Sequence, residues 1–319
     1  MFIAIRDIRY AKGRFALMAA VVGLITLLVV LLSGLTAGLR SASVSAIEHL
    51  PAQSLLFGSK VSFGESVVKA DRTRGEPLGV TQTRIKNGEA ITVFGVEPGS
   101  FLAPGKLGPG EIIVSPALDL ATNQRVTLGA DEFTVVAQGP DDSFSHTPVV
   151  WATLDDWRTM AHAEPGTATV LALEDASGVS LSDSLAGVGG FSSENSSLLT
   201  MQGFLFAISA LVIGAFFTVW TVQRQGDIAI LKALGASGRY LLRDALAQAL
   251  IVLALGAGLG GAVGIGLGAL AERVMPFTVS APTTLVPVLA MIVLGMAGAV
   301  LAVRRITSVD PLIALGSAR

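Results

Sequence analysis

The chain has 319 residues, of which 51% are hydrophobic and only 14% are charged. Soluble domains carry about 25% charged residues, so this shortfall and a mean hydropathy of +0.66 indicate that lipid surrounds part of the chain. The net charge of −2 gives no support for nucleic-acid binding, and the absence of cysteine excludes disulfides and thiolate metal sites.

Four uncharged segments are long enough to cross a bilayer, which needs roughly 20 apolar residues in a helix. They cover residues 15–39, 203–222, 245–271 and 284–303, here called spans one to four. Basic residues precede the first segment, as in a signal peptide, but its apolar run exceeds the roughly 7–15 residues of a signal sequence. The sequence therefore predicts an α-helical membrane protein with four transmembrane helices.

Basic residues predict the orientation, because they are enriched in short cytoplasmic segments. Residues 1–14 and 223–244 hold four Lys or Arg each, and the tail 304–319 holds three, whereas the loop 272–283 holds only Arg273. We therefore expect a plasma-membrane protein with both termini in the cytoplasm. Residues 40–202 would then form an extracytoplasmic domain between the first two helices.

The segment 40–202 has the pattern of an α+β domain that is mainly β. Thr153 is a predicted N-cap of a short helix that ends at Ala161. A Gly- and Ser-rich stretch, 177–197, is interpreted as a loop or a frayed lead-in to span two. The predicted strands are a hairpin over 80–94 with a turn at Asn87-Gly88, a second pair at 125–128 and 133–137, and strands at 149–151 and 169–173.

The same domain shows no sign of catalysis or metal binding. It holds His49, His146 and His162 without a nucleophile motif or a paired metal-ligand motif such as His-x-x-x-His. Isolated histidines on a solvated domain are interpreted as surface residues. The sequence thus predicts a protein that is not an enzyme and has no metal site.

Residues 225–237 predict a short amphipathic helix at the cytoplasmic surface. Asp227 can cap its start, and Gly235 can end it. Its apolar stripe consists of Ile228, Leu231 and Leu234. The pattern alone leaves open whether this helix rests on lipid headgroups or docks onto a partner protein.

Span three contains glycines at every fourth position, namely Gly256, Gly260, Gly264 and Gly268, which allow a neighbouring helix to approach closely. A match to G-x-G-x-x-G in the same span lacks the preceding strand that dinucleotide binding requires. The chain contains no P-loop motif, so ATP would have to be bound by another subunit. No span contains an ionisable residue, which argues against a proton- or ion-coupled carrier.

The motif at 227–237 resembles the signature of FtsX-like, MacB-type ABC permeases, with Asp227 where Glu is usual. Segments 6–14 and 304–315 resemble the two ends of that family, and 111–117 and 133–136 resemble strands of its outer domain. The resemblance implies a permease dimer that binds a separate ATPase subunit and moves its outer domain by mechanotransmission. The implied ATPase-coupling residues are Asp227, Ile228, Leu231, Lys232, Leu234 and Gly235.

Within that family the chain looks closest to HrtB-type permeases of haem exporters, which implies haem as transported ligand, an HrtA-like ATPase partner and a homodimer in contact with membrane lipid. Haem needs apolar walls, an axial ligand and cations for its propionates. The candidate residues at the outer ends of spans one and two are Arg40, Glu48, His49, Glu194, Met201, Phe204 and Phe206. Each also has an ordinary interpretation: core packing for Met201 and the phenylalanines, a headgroup anchor for Arg40, and solvated surface for the others.

Two other functions remain open at this point. The exported substrate could be another amphiphile, such as an antibiotic, a peptide or a lipid. Alternatively, the protein could be an FtsX-like signal transducer that transports nothing and activates a cell-wall hydrolase through its outer domain.

Overall fold

A computed structural model of the protein describes residues 12–86, 88–223, 226, 230, 235 and 237–307. These residues divide into two compact units. The helical unit takes the described residues of 1–37 and 198–319, and the β unit is formed by residues 38–197.

The α-helices are, in chain order, α1 (Lys12–Glu48), α2 (Leu154–Ala161), α3 (Leu181–Ser184), α4 (Phe191–Gln223), α5 (Gly238–Ala271) and α6 (Ala281–Thr307). Four of them, α1, α4, α5 and α6, are long and apolar enough to cross a membrane. This confirms the four predicted apolar helices with a mainly β unit between the first two. Both α1 and α4 are longer than the spans predicted from hydropathy, because each continues with polar turns at the β unit.

Three of the four predicted glycines of span three are packing sites for α1 within the helical unit, whereas Gly268 faces Phe277 and Val279, which follow α5. A Cβ atom on Gly256 would lie 2.6 Å from the carbonyl oxygen of Ala19, and one on Gly264 would lie 2.8 Å from a methyl group of Val30. Gly260 faces the backbone of Gly23. The predicted close helix approach is therefore confirmed, and its partner is α1.

The strands of the β unit are β1 (Ser54–Leu56), β2 (Val68–Lys69), β3 (Glu76–Arg84), β4 (Ala90–Val96), β5 (Glu111–Val114), β6 (Arg125–Leu128), β7 (Asp131–Gln138), β8 (Ser143–Phe144), β9 (Thr147–Thr153), β10 (Thr167–Ala168), β11 (Val170–Leu173) and β12 (Val179–Ser180). The main sheet has the order β12-β1-β11-β3-β4-β9-β5-β7-β6. Within it, β4–β9 and β5–β7 are parallel. A bridge between Ile85 and Leu128 joins the end of β3 to β6, so this part of the sheet closes on itself.

Alternating residues of the central strands enter two separate cores, as the two-residue period of a strand requires. In β4, Ile91 and Val93 belong to the core that contains Trp157. Phe94 belongs to the other core, together with Val44 and Ile47 of α1. The last turns of α1 are therefore packed directly onto one face of the sheet.

Several local predictions for the β unit are confirmed. Strands β3 and β4 form an antiparallel hairpin, although Asn87 of the predicted turn lies outside the described residues. Strands β6 and β7 form the second predicted pair. Thr153 caps α2, where its hydroxyl oxygen accepts a hydrogen bond from the backbone N–H of Asp156 at 3.2 Å.

The interpretation of residues 177–197 as a loop or frayed lead-in was wrong. This stretch contains β12, α3 and the start of α4 at Phe191. Ser180 caps α3, since its Oγ accepts a hydrogen bond from the N–H of Asp183 at 3.1 Å. Leu185, Val188 and Phe191 are buried in the core next to α1. One of the small polar residues that suggested a loop, Ser180, is therefore a helix cap that precedes these apolar anchors.

Candidate functional site

The end of α1 and the start of α4 both contact residues 142–146 of the β unit, which include the short strand β8 and are here called the 142–146 loop. Arg40, Ser43 and His49 belong to or follow α1, and Glu194 lies in the first turn of α4. All of them belong to the β unit. Their contacts define what this region can do chemically.

Arg40 and Glu48 form an ion pair, with Nη2 of Arg40 2.5 Å from Oε1 of Glu48. The guanidinium carbon also lies 5.5 Å from the centre of the Phe191 ring, which adds a cation–π contact. The side chains of Arg40 and Glu48 remain 41% and 34% exposed. This arrangement places a partly exposed cation beside a buried aromatic ring, because Phe191 is only 7% exposed.

Both histidines near these helices have carboxylate partners. Nδ1 of His49 lies 2.6 Å from Oδ1 of Asp142, whose side chain is only 7% exposed. Nε2 of His146 lies 3.0 Å from Oε2 of Glu194 and 3.0 Å from Oγ of Ser43. The interpretation of His49 and His146 as surface residues is confirmed, since their side chains are 67% and 44% exposed, but neither is isolated, because each has a carboxylate partner.

The structure brings together only part of the predicted haem site. Arg40 contacts Glu48, whereas His49 and Glu194 contact other side chains, Asp142 and His146. The remaining candidates belong to the helical unit: Met201 and Phe204 are 58% and 65% exposed in this chain, and Phe206 packs at the edge of the helical core.

Sequence reasoning missed Ser43, Asp142 and His146. Ser43 and His146 are 103 positions apart in sequence, and His49 and Asp142 are 93 apart. No local pattern connects residues at such separations. Only the placement of the 142–146 loop against α1 reveals them.

A cavity of about 340 Å³ also lies beside the 142–146 loop, but it does not suit haem. Its lining residues are Ser62, Phe63, Gly64, Val80, Thr81, Gln82, Phe144, Ser145, Gly187 and Gly189. None of these side chains is charged, so the cavity offers no cation for a propionate. Among the residues that the structure describes, no cluster of three His, Asp or Glu side chains could hold a metal ion.

Two carboxyl groups of the β unit have a lowered pKa, and neither is a candidate residue. Hydrogen bonds from the hydroxyl and backbone N–H of Thr73 lower the pKa of Asp71. Equivalent bonds from Ser177 lower the pKa of Asp175. Both shifts arise from local turns rather than from a functional cluster.

Most of the predicted coupling helix, namely Asp227, Ile228, Leu231, Lys232 and Leu234, lies outside the described residues. Gly235 is described and has a φ of +92°, the left-handed conformation of a glycine that ends a helix. Ser237 then caps α5, with its Oγ accepting a hydrogen bond from the N–H of Tyr240 at 3.3 Å.

Comparison with known proteins agrees with this architecture. Residues 199–311 match the FtsX-like permease C-terminal family. The hemin transport system permease protein HrtB of Staphylococcus haemolyticus is 25% identical over 356 aligned positions, which cover 99% of each chain. An HrtB of Staphylococcus epidermidis is 21% identical, and an uncharacterized ABC transporter permease of Mycobacterium tuberculosis is 23% identical, each with 99% of both chains covered. The chain is a multi-pass membrane protein that carries an FtsX-like permease C-terminal domain and is homologous along its length to ABC transporter permeases.

Proposed function

We propose that this chain is the permease of an ABC export system, that a separate HrtA-like ATPase subunit drives it, and that haem is the exported substrate. The full-length similarity to proteins named for hemin transport supports this substrate. The chain has no P-loop of its own, so ATP hydrolysis belongs to the partner subunit. The permease itself acts as a homodimer in the plasma membrane, with both termini in the cytoplasm.

The observation that carries the haem proposal is Arg40, which combines a cation, an aromatic neighbour and partial exposure. The carboxylate of Glu48 pairs with the Arg40 guanidinium as a haem propionate would. A propionate could take that place and release Glu48. The proposed haem-site residues are Arg40, Glu48, His49, Glu194, Met201, Phe204 and Phe206.

The candidate iron ligands differ in the free energy that is needed to release each side chain from its present partner. Exposed ion pairs contribute only about 0.2–1 kcal/mol, so freeing Glu48 or Glu194 costs little compared with the roughly 8 kcal/mol of a micromolar complex. Freeing His49 would leave the buried carboxylate of Asp142 without this hydrogen-bond partner, and an unsatisfied buried polar group costs about 1–3 kcal/mol. We therefore expect Glu48, Glu194 or Met201, rather than His49, to supply the axial ligand.

The ATPase docks at the cytoplasmic segment 227–235, and its motion travels outward through the long helices. The continuity of α1 and α4, which each run from a membrane-spanning stretch into the β unit, supports transmission of movement along them. This coupling by mechanotransmission needs no substrate channel through the spans. It agrees with the absence of ionisable residues from the predicted spans.

The test is a haem absorption spectrum of the purified permease in lipid nanodiscs, followed by ATP-dependent haem release from proteoliposomes that contain the ATPase. Alanine at the true ligand should shift the Soret band and leave cells sensitive to haem. His162→Asn is the matched control, since His162 caps α2 in a left-handed conformation that Asn tolerates.

Three outcomes would contradict the proposal in different ways. If alanine at Glu48, His49, Glu194 and Met201 in turn changes neither spectrum nor resistance, the site must be dropped. ATP-driven export of another amphiphile without haem binding would reject haem as the substrate. Activation of a cell-wall hydrolase without any export would identify a signal transducer.

A further inference from the structure

We infer that the contact between His146 and Glu194 is a releasable latch between the 142–146 loop and helix α4, whereas helix α1 is fixed to the same loop. This inference rests on the proposed function, because it assigns the place where ATP-driven movement changes a contact. It follows from an asymmetry between the two helices in how they are bound.

Backbone hydrogen bonds attach helix α1 to the loop. The N–H of Ser145 donates a hydrogen bond to the carbonyl oxygen of Ser43 at 2.8 Å, and the N–H of His146 donates to that of Ala42 at 2.9 Å. To make these bonds, Ser145 and His146 adopt φ values of +49° and +62°. This left-handed conformation is unfavourable for residues with a Cβ atom and is kept only where surrounding contacts demand it.

Side chains strengthen the attachment of α1 over the next two turns. Oγ of Ser45 accepts a hydrogen bond from the N–H of Ser143 at 2.9 Å and donates to its carbonyl oxygen at 3.3 Å. His49 contacts the buried carboxylate of Asp142 at 2.6 Å. Backbone and side-chain contacts together span residues 42–49, so this end of α1 cannot slide along the loop without breaking all of them.

The loop itself is anchored in the middle of the sheet. It leads directly into β9, which pairs with β4 on one side and β5 on the other. Val149 and Trp151 of β9 are buried in the same core as Val44 and Ile47 of α1. Loop, sheet and the end of α1 therefore form one rigid body.

Helix α4 contacts the 142–146 loop through a partly exposed pair of side chains and, in the described part of the chain, without a backbone hydrogen bond like those of α1. Nε2 of His146 lies 3.0 Å from the Glu194 carboxylate, and the two side chains are 44% and 33% exposed. Ser193 and Ser197 on the same helix direct their hydroxyl groups to carbonyl oxygens of their own chain segment, Gly190 and Ser193. One turn earlier, the buried ring of Phe191 provides an apolar pivot.

These contacts give a specific order of events. When α4 tilts about Phe191, the bond between His146 and Glu194 is broken, while the contacts of α1 with residues 142–146 remain. His146 is thus a positioning residue: its Nε2–H holds Glu194, itself a proposed haem-site residue, in the resting state. Release of the latch frees that carboxylate.

The absence of cysteine from the chain allows a direct test by paired cysteine substitution. The double variant His146→Cys/Glu194→Cys, in complex with the ATPase, is cross-linked with a short bis-methanethiosulfonate reagent, which joins the two thiols through reducible disulfide bonds. We expect locking the latch to reduce permease-dependent ATP hydrolysis by about tenfold, within the range of coupling between distant sites, and a reductant that cleaves the cross-link to restore it. The matched pair Ser45→Cys/Ser143→Cys spans the fixed joint and should keep its activity when cross-linked.

If ATP hydrolysis is unchanged when the 146–194 pair is cross-linked, the contact between His146 and Glu194 is not a releasable latch. If the 45–143 cross-link inhibits hydrolysis equally, α1 and α4 do not differ in how they are attached to the loop. A second pair of variants tests the latch even if the double cysteine variant does not fold. His146→Gln retains an N–H donor for Glu194, whereas His146→Ala does not, so the ratio of substrate exported to ATP hydrolysed should fall only in the alanine variant. Because hydrolysis is measured without haem, a failure of haem export would refute the proposed substrate and leave the latch test valid.

Discussion

Replacement of Gly256 by alanine tests whether α1 and α5 depend on direct backbone contact. The added methyl group would lie 2.6 Å from the carbonyl oxygen of Ala19, whereas an ordinary contact begins at 3.4 Å, so it lacks about 0.8 Å of space. A carbonyl oxygen within a helix cannot rotate away as a side chain can. Overpacking of this kind costs about 1–3 kcal/mol, and alanine regains about 0.5–1 kcal/mol of helix stability over glycine.

The difference is a net destabilisation of the helical unit of about 0–2.5 kcal/mol. We expect a value near 1 kcal/mol for Gly256→Ala, which corresponds to a Tm lower by roughly 2–4 °C. Thermal unfolding in detergent, followed by the fluorescence of the buried Trp220, measures this change. Gly258→Ala is the matched control on the same helix, because a Cβ there has no neighbour within 4 Å. Equal Tm changes in the two variants would refute the packing argument.

Two further predictions concern orientation and coupling. Ser59→Cys should react with an impermeant thiol reagent in intact cells and Ser237→Cys should not, because the basic residues predict that the β unit lies outside; the opposite labelling would reverse the topology. Leu231→Asp should abolish stimulation of the ATPase while the permease remains folded in the membrane, because burying an unpaired charge in an apolar groove costs several kcal/mol. Normal co-purification and activity of the ATPase would instead indicate that residues 227–234 form a membrane-surface helix.

Hydropathy and periodicity were sufficient to predict the four apolar helices. A helix that crosses lipid requires a long uncharged run, which can be recognised in the sequence without knowledge of tertiary contacts. The spacing of Gly256, Gly260 and Gly264 likewise predicted a packing face, although not that α1 is its partner. The span predicted from hydropathy ends at residue 39, whereas α1 continues to Glu48, because the polar residues of these turns lower the hydropathy. Its stripe of Val44 and Ile47 faces protein rather than lipid.

The candidate site was predicted less completely, for a physical reason. The residues that could be named, Arg40, Glu48 and Glu194, carry chemistry that is visible in the sequence. The partners of such residues are determined by how the strands pair. His146 contacts Ser43 because the pairing of β9 with β4 positions the preceding loop beside α1. Such contacts between distant segments leave no local pattern.

The position of β1 in the sheet has a consequence for biogenesis. Its residues, Ser54–Leu56, lie between β11 and β12, and both neighbours belong to the last part of the β unit. During synthesis β1 therefore stays unpaired until residues 170–180 have been made. Pairing over such a sequence distance is slow, and unpaired strand edges are prone to aggregation in the meantime. We expect the emerging segment to depend on chaperones until its final strands arrive.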